Sequence, residues 1–169
     1  MKKFTLSLAM LALLAGCAGP VKMPKPTYPA SYEANLEADY APFLVDGTAE
    51  INGQAFLVQK GGGTVKAAGR VVTLDPVTTI SQNWWMQAGR VYMHRASLPP
   101  SDSFTKARRT VTADADGRFK FTKLPAGSYY VRSELTWTVP FHGVQGGLLT
   151  SREDVAVGET KTIMLNGTK

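Results

Sequence analysis

The sequence predicts an all-β fold, an antiparallel β-sandwich, on three observations. From Gly47 onward apolar residues recur at every second position in short runs, as where Ala49, Ile51, Ala55 and Leu57 alternate with Glu50, Asn52 and Gln54. Turn-forming clusters punctuate the runs at Gly61-Gly62-Gly63, Asp116-Gly117, Pro125-Ala126-Gly127 and Gly146-Gly147. Between most runs, no stretch carries a helical period. A period of two sends successive side chains to opposite faces, so each run has one apolar face to bury. Stacking two sheets buries them all.

The first elements are not strands. Lys2 and Lys3 precede the apolar stretch Phe4 to Leu14, the layout of a secretory leader. It is too short for a span, which takes about 20 apolar residues. The run Leu14-Ala15-Gly16-Cys17 that closes it resembles the lipobox of bacterial lipoproteins. That resemblance implies diacylglycerol on the Cys17 thiol, cleavage before it and acylation of the new amine. Residues 1–16 are then a lipoprotein signal peptide, and the mature chain of 153 residues is held to a membrane through lipid at Cys17. Each buried methylene contributes about 0.8 kcal/mol, so two or more acyl chains anchor stably. Ala18 stands where an aspartate would signal inner-membrane retention, which implies the outer membrane, on its periplasmic or surface face. Cys17 is the only cysteine, so a lipidated chain has no disulfide and depends on packing.

Residues 17–46 form the next unit. Gly19 to Pro29 holds four prolines, which fix φ and remove donors, so a semi-rigid spacer is expected. Ala18 to Ala30 would reach up to about 40 Å at 3.1 Å per residue. Ser31 to Tyr40 then predicts a short helix, with Ser31 as cap and Tyr32, Leu36 and Tyr40 on one face.

Residues 47–169 are the sandwich domain. After the first run, Val72 and Leu74 follow Gly69-Arg70, Val91 and Met93 flank Tyr92, and Val111 and Ala113 follow two arginines. Phe119 and Phe121 alternate with Arg118 and Lys120. Tyr129, Val131, Leu135 and Trp137 share one face, opposite Arg132, Glu134 and Thr136. Val155 and Val157 lead to a turn at Gly158-Glu159, and Thr160 to Leu165 ends the series. A strand ending at Asp114 is expected to return as Phe119-Lys120-Phe121 through a tight hairpin at Asp116-Gly117, where Gly117 tolerates positive φ.

Within Ala113 to Arg132, the residues Asp114, Gly117, Phe119, Phe121, Leu124, Pro125, Gly127, Tyr129 and Val131 follow a D-x-x-G-x-F-x-F-x-x-L-P-x-G-x-Y-x-V pattern. This resembles the carboxypeptidase regulatory-like domains of the transthyretin-like (prealbumin-like) superfamily, over residues 47 to 165. The resemblance implies a seven-stranded antiparallel Greek-key sandwich. It implies no activity, because such modules serve as stalks, adhesin repeats and regulatory domains as well as enzyme appendages. One superfamily member hydrolyses a urate-derived lactam, but it depends on a C-terminal Tyr-Arg-Gly-Ser type of signature, and this chain ends in Asn166-Gly167-Thr168-Lys169.

The charge of +6 falls to +4 when Lys2 and Lys3 leave, and no run of Lys and Arg is dense enough to predict nucleic-acid binding. The two histidines, His94 and His142, lie on separate segments, and a metal needs three or four convergent ligands. Neither a metal nor a cofactor is predicted. No G-x-S-x-G elbow is present. The interval Thr78 to Arg109 carries the densest aromatic and basic patch. Trp84, Trp85, Arg90, Tyr92 and Arg95 would form a binding face of flat rings beside guanidinium donors. Alternatively, Trp84 and Trp85 cap the open edge of the core. The glycine-rich segment Phe141 to Leu149 reads as a mobile loop beside that patch. The expected function is a non-enzymatic envelope lipoprotein, a binding or scaffold module for an envelope protein or glycan. The rival is a small periplasmic hydrolase or glycan-active enzyme using His94 or His142.

Overall fold

The structure, a computed structural model, describes residues 36–91 and 101–167. Eight strands build two facing four-stranded sheets: β1 (Ala49–Val58), β2 (Thr64–Lys66), β3 (Val71–Pro76), β4 (Arg109–Thr112), β5 (Arg118–Leu124), β6 (Gly127–Val139), β7 (Gly143–Val155) and β8 (Thr160–Leu165). In the first sheet β1 pairs antiparallel with β5 and with the short β2, and parallel with β8. The second sheet runs β4-β3-β6-β7. The expected sandwich is present, with two refinements. The three-residue β2 raises the strand number to eight, and β8 lies parallel to β1 along Glu50–Ala55.

The alternation read from the sequence sets the core. Ile51, Ala55, Phe119, Phe121, Leu124, Val72, Leu74, Tyr129, Val131, Leu135, Leu149, Ile163 and Leu165 are buried between the sheets. Arg132 and Glu134 lie on the opposite face of β6, as expected. The Asp114–Arg118 turn also forms: the Asp114 carboxylate accepts from the backbone of Asp116 and Arg118, each at 2.8 Å, and Gly117 takes φ +74°. Its flanking strands are not a hairpin. β4 joins β3 in one sheet and β5 joins β1 in the other, so this turn is a corner between layers. The second turn returns the chain at Gly127, and the Tyr129 hydroxyl pins it by donating to the Pro125 carbonyl at 2.7 Å.

A helical insertion, rather than a further strand, follows β3. Thr78 and Ser81 cap α2 (Thr79–Trp84) reciprocally, with the Ser81 hydroxyl accepting from the Thr78 N–H at 2.8 Å. The chain then widens over Trp85–Gly89 into a turn in which Arg90 N–H donates to the Trp85 carbonyl. Val91 ends in this turn, which corrects its expected place in a strand; Tyr92 and Met93 lie outside the described residues. Ser101 caps α3 (Asp102–Ala107), and α1 (Leu36–Tyr40) supplies the last piece. The expected helix over Ser31–Tyr40 is thus found from Leu36; residues 31–35 lie outside the described residues. None of the described helices is long and apolar enough to cross a membrane.

These helices pack on the outer face of the second sheet, where Tyr40, Ile80, Trp84, Trp85, Phe104 and Tyr130 form a second core. Tyr130 is near the Gly127 end of β6, so α1 brings the N-terminal segment in at that end. The β6–β7 turn marks the other. Because β3 pairs with β6 only over Tyr129–Ser133 while β7 pairs along its whole length, β6 and β7 continue past β3 as a two-stranded ribbon.

Candidate functional site

The aromatic patch expected at Trp84 and Trp85 is sealed. Trp84 is 0% exposed and Trp85 is 6% exposed. Trp85 stacks on Tyr130 with centroids 4.2 Å apart and planes at 6°, and Trp84 meets Phe104 edge-on at 5.4 Å. The Arg108 guanidinium covers both Trp84 and Phe104 at 5.4 and 5.0 Å, while its Nε and Nη2 donate to the two Asp75 carboxylate oxygens at 2.6 and 2.7 Å. The open-face reading of the two tryptophans is therefore corrected: they are core, on the outside of one sheet. Arg90 is exposed on the following turn. Tyr92, Arg95, His94 and Cys17 lie outside the described residues. His142 is exposed in the β6–β7 turn, and among the described residues no group of three or more His, Cys, Asp or Glu side chains is arranged to hold a metal.

Electrostatics reinforce this seal. Burial pushes the Asp75 carboxyl up, against the opposing pull of Arg108 and Arg132. Burial likewise pushes the Tyr40 hydroxyl up to about 12, with Thr78 and Ser81 acting the other way. Arg132 is lowered by burial and supported by its partner Glu134. A shallow concavity of about 380 Å³ lies here, lined by Arg70, Val71, Thr73, Arg132, Ser133 and Glu134. Its cations are already committed, since Arg70 donates to the Thr136 carbonyl at 2.8 Å and Arg132 pairs with Glu134.

The site with chemistry to offer lies at the ribbon end of the sandwich. There Trp137, the third tryptophan, lines a groove of about 380 Å³ with Leu57, Val58, Gln59, Lys60, Gln145, Gly146, Gly147 and Leu148. Trp137 is half-buried, held from behind by the main core. Gln59 and Lys60 begin the β1–β2 turn, where Gln59 N–H donates to the Gly63 carbonyl at 2.7 Å. Gln145 faces Trp137 directly across the β6–β7 pair. Gly146 fixes the ring: it takes φ +96°, and a Cβ there would lie 2.9 Å from the indole and overlap the Leu135 carbonyl. Beside it, a Cβ on Gly147 would meet nothing within 4 Å, so the missing side chain leaves the wall open. The Trp137 indole N–H is buried with no hydrogen-bond partner among the described residues. Lys60 is the single charged side chain of this lining.

A flat indole, two amides and one ammonium around an open trough supply what a polyhydroxylated ligand needs: apolar area for a ring face and directional donors and acceptors for its hydroxyls. The sequence placed Trp137 on the apolar face of its strand, which is correct. It gave no hint that Gln59 and Lys60 meet it. The usable signal was the glycine spacing in Phe141 to Leu149, which is a turn and strand β7 rather than the expected loop.

No family model matches the chain, and no curated protein does. Among solved structures, a candidate carbohydrate-binding protein from Pseudomonas aeruginosa is 26% identical, with a TM-score of 0.66, over 85% of this chain and 99% of its own. The minor pilin GBS52 of Streptococcus agalactiae is 13% identical with a TM-score of 0.39, covering 72% of this chain and 44% of the pilin. The major pilin subunit of Bacillus cereus is 16% identical with a TM-score of 0.41, covering 73% and 30%. The first is similar over nearly its full length; the pilins are too distant to bear on function.

Proposed function

We propose that this protein is a membrane-anchored cell-envelope lipoprotein whose β-sandwich is a non-enzymatic glycan-binding module. The observation that carries the reading is the Trp137 groove, with Gln59, Lys60 and Gln145 around a half-buried indole. The similarity to a candidate carbohydrate-binding protein supports it. Anchoring rests on the Leu14-Ala15-Gly16-Cys17 run and the proline-rich spacer behind it. The mechanism is positioning: lipid at Cys17 fixes one end, the spacer lifts the domain, and the groove at the far end of β6 faces away from the point where α1 enters.

Two experiments test the two halves. Cys17→Ser should release the protein into the soluble fraction; membrane association that still needs detergent would contradict the anchor. Binding of the detergent-solubilised full chain to purified cellulose, chitin, peptidoglycan and polygalacturonate should reveal at least one retained polymer, with retention lost in Trp137→Ala. Retention of none, or retention indifferent to Trp137, would contradict the glycan reading.

A further inference from the structure

Beyond the groove, the ribbon tip carries a ring with no structural role. Phe141 is fully exposed, and it holds φ +63°, a left-handed conformation that non-glycine residues rarely adopt. A bulky apolar residue fixed in that conformation, contributing nothing to either core, indicates a use outside the fold. Val144 beside it is 71% exposed. The turn beneath is ordered by its own bonds: His142 N–H donates to the Val139 carbonyl at 3.0 Å, and Gln145 Nε2 donates to the His142 carbonyl at 3.0 Å. Gln145 therefore ties the tip to the groove, because the same residue lines the Trp137 trough.

Spacing then limits the ligand. Trp137 pairs with Gln145, Thr138 with Val144 and Val139 with Gly143, so Trp137 is two rungs below the last pair of the ribbon. Two rungs span about 7 Å in an extended strand, and Phe141 lies beyond them. The two rings therefore serve different parts of a ligand. Resting on the glycan reading above, we propose that the ligand is a linear polysaccharide bound along its length, crossing from the Trp137 groove to a second stacking position at Phe141. A single sugar or a chain end would fill the groove and leave Phe141 unused. An internal stretch of polymer uses both rings, and the trough is open enough to let the chain run on.

The test is a length series. Oligosaccharides of one to six units, prepared from cellulose, chitin and polygalacturonate, are titrated against the detergent-solubilised full chain and its Phe141→Ala and Trp137→Ala variants. Affinity should rise at least about tenfold from the shortest binding rung to the longest, the size expected of one added ring-stacking contact. Phe141→Ala should remove that increment, leave the shortest binding rung within about twofold of wild type and leave the melting temperature unchanged. Trp137→Ala should weaken every rung. If binding depends on Trp137 but does not grow with length, or grows equally without Phe141, this inference fails and the glycan reading stands. If no rung of any series binds the wild-type chain, the glycan reading fails and this inference falls with it.

Discussion

Two tryptophan-bearing regions lie on opposite sides of the same strand, β6, and they have opposite fates. Trp84 and Trp85 sit against its outer face near Gly127, roofed by α1 and α3 and clamped by the Asp75–Arg108 pair. Trp137 points to its inner face near the distal end, two residues before the strand closes at Val139, where the sheets no longer fully cover it. The difference teaches that aromatic density does not mark a binding face. What decides is whether another element is available to cover the ring. The insertion brings its own cover; the ribbon end has none.

The largest expected effect breaks the sealed region. Trp84→Ala should cost about 3–5 kcal/mol, the range for deleting a large buried aromatic, measured by denaturant unfolding. The surviving folded fraction should keep its glycan affinity. Arg108→Met comes next, at about 3 kcal/mol, because it strands the buried Asp75 carboxylate. Burial already holds this carboxyl above its ordinary value, and losing the guanidinium raises it further. A folded-state pKa above the unfolded one carries no penalty below the ordinary carboxylate range and an increasing one as pH rises through the raised value. The melting deficit of Arg108→Met relative to wild type should therefore shrink on acidification from neutral pH; a deficit that grows would contradict the assignment.

Smaller effects sharpen the open region. Gly146→Ala should cost about 1–3 kcal/mol through positive-φ strain and should displace the indole, so its binding loss should exceed what its stability loss explains. Equal affinity in Gly146→Ala would mean that the ring does not need that support.

The fold was legible because a period of two is imposed by the pleat and a buried face needs apolar residues at each second position, as at Phe119 and Phe121 or Tyr129 and Val131. The helical insertion was not. Thr79–Trp84 is too short to show a helical period, and its Thr78–Ser81 cap lacks the acidic residue that usually advertises one. The corner at Asp114–Arg118 reads locally like a hairpin because the turn chemistry is the same; only the pairing of β4 with β3 and β5 with β1 tells them apart. The groove was the least legible part. Gln59 and Lys60 are far from Trp137 in sequence, and only the antiparallel stacking of the layers brings them to one trough.

The central claim is that Trp137, and not the Trp84–Trp85 pair, meets the ligand. The three indole N–H signals in a proton–nitrogen correlation spectrum, followed during titration with the retained glycan, test it most directly. The Trp137 signal should move while those of Trp84 and Trp85 stay in place. Movement of either sealed tryptophan with Trp137 unchanged would contradict the account.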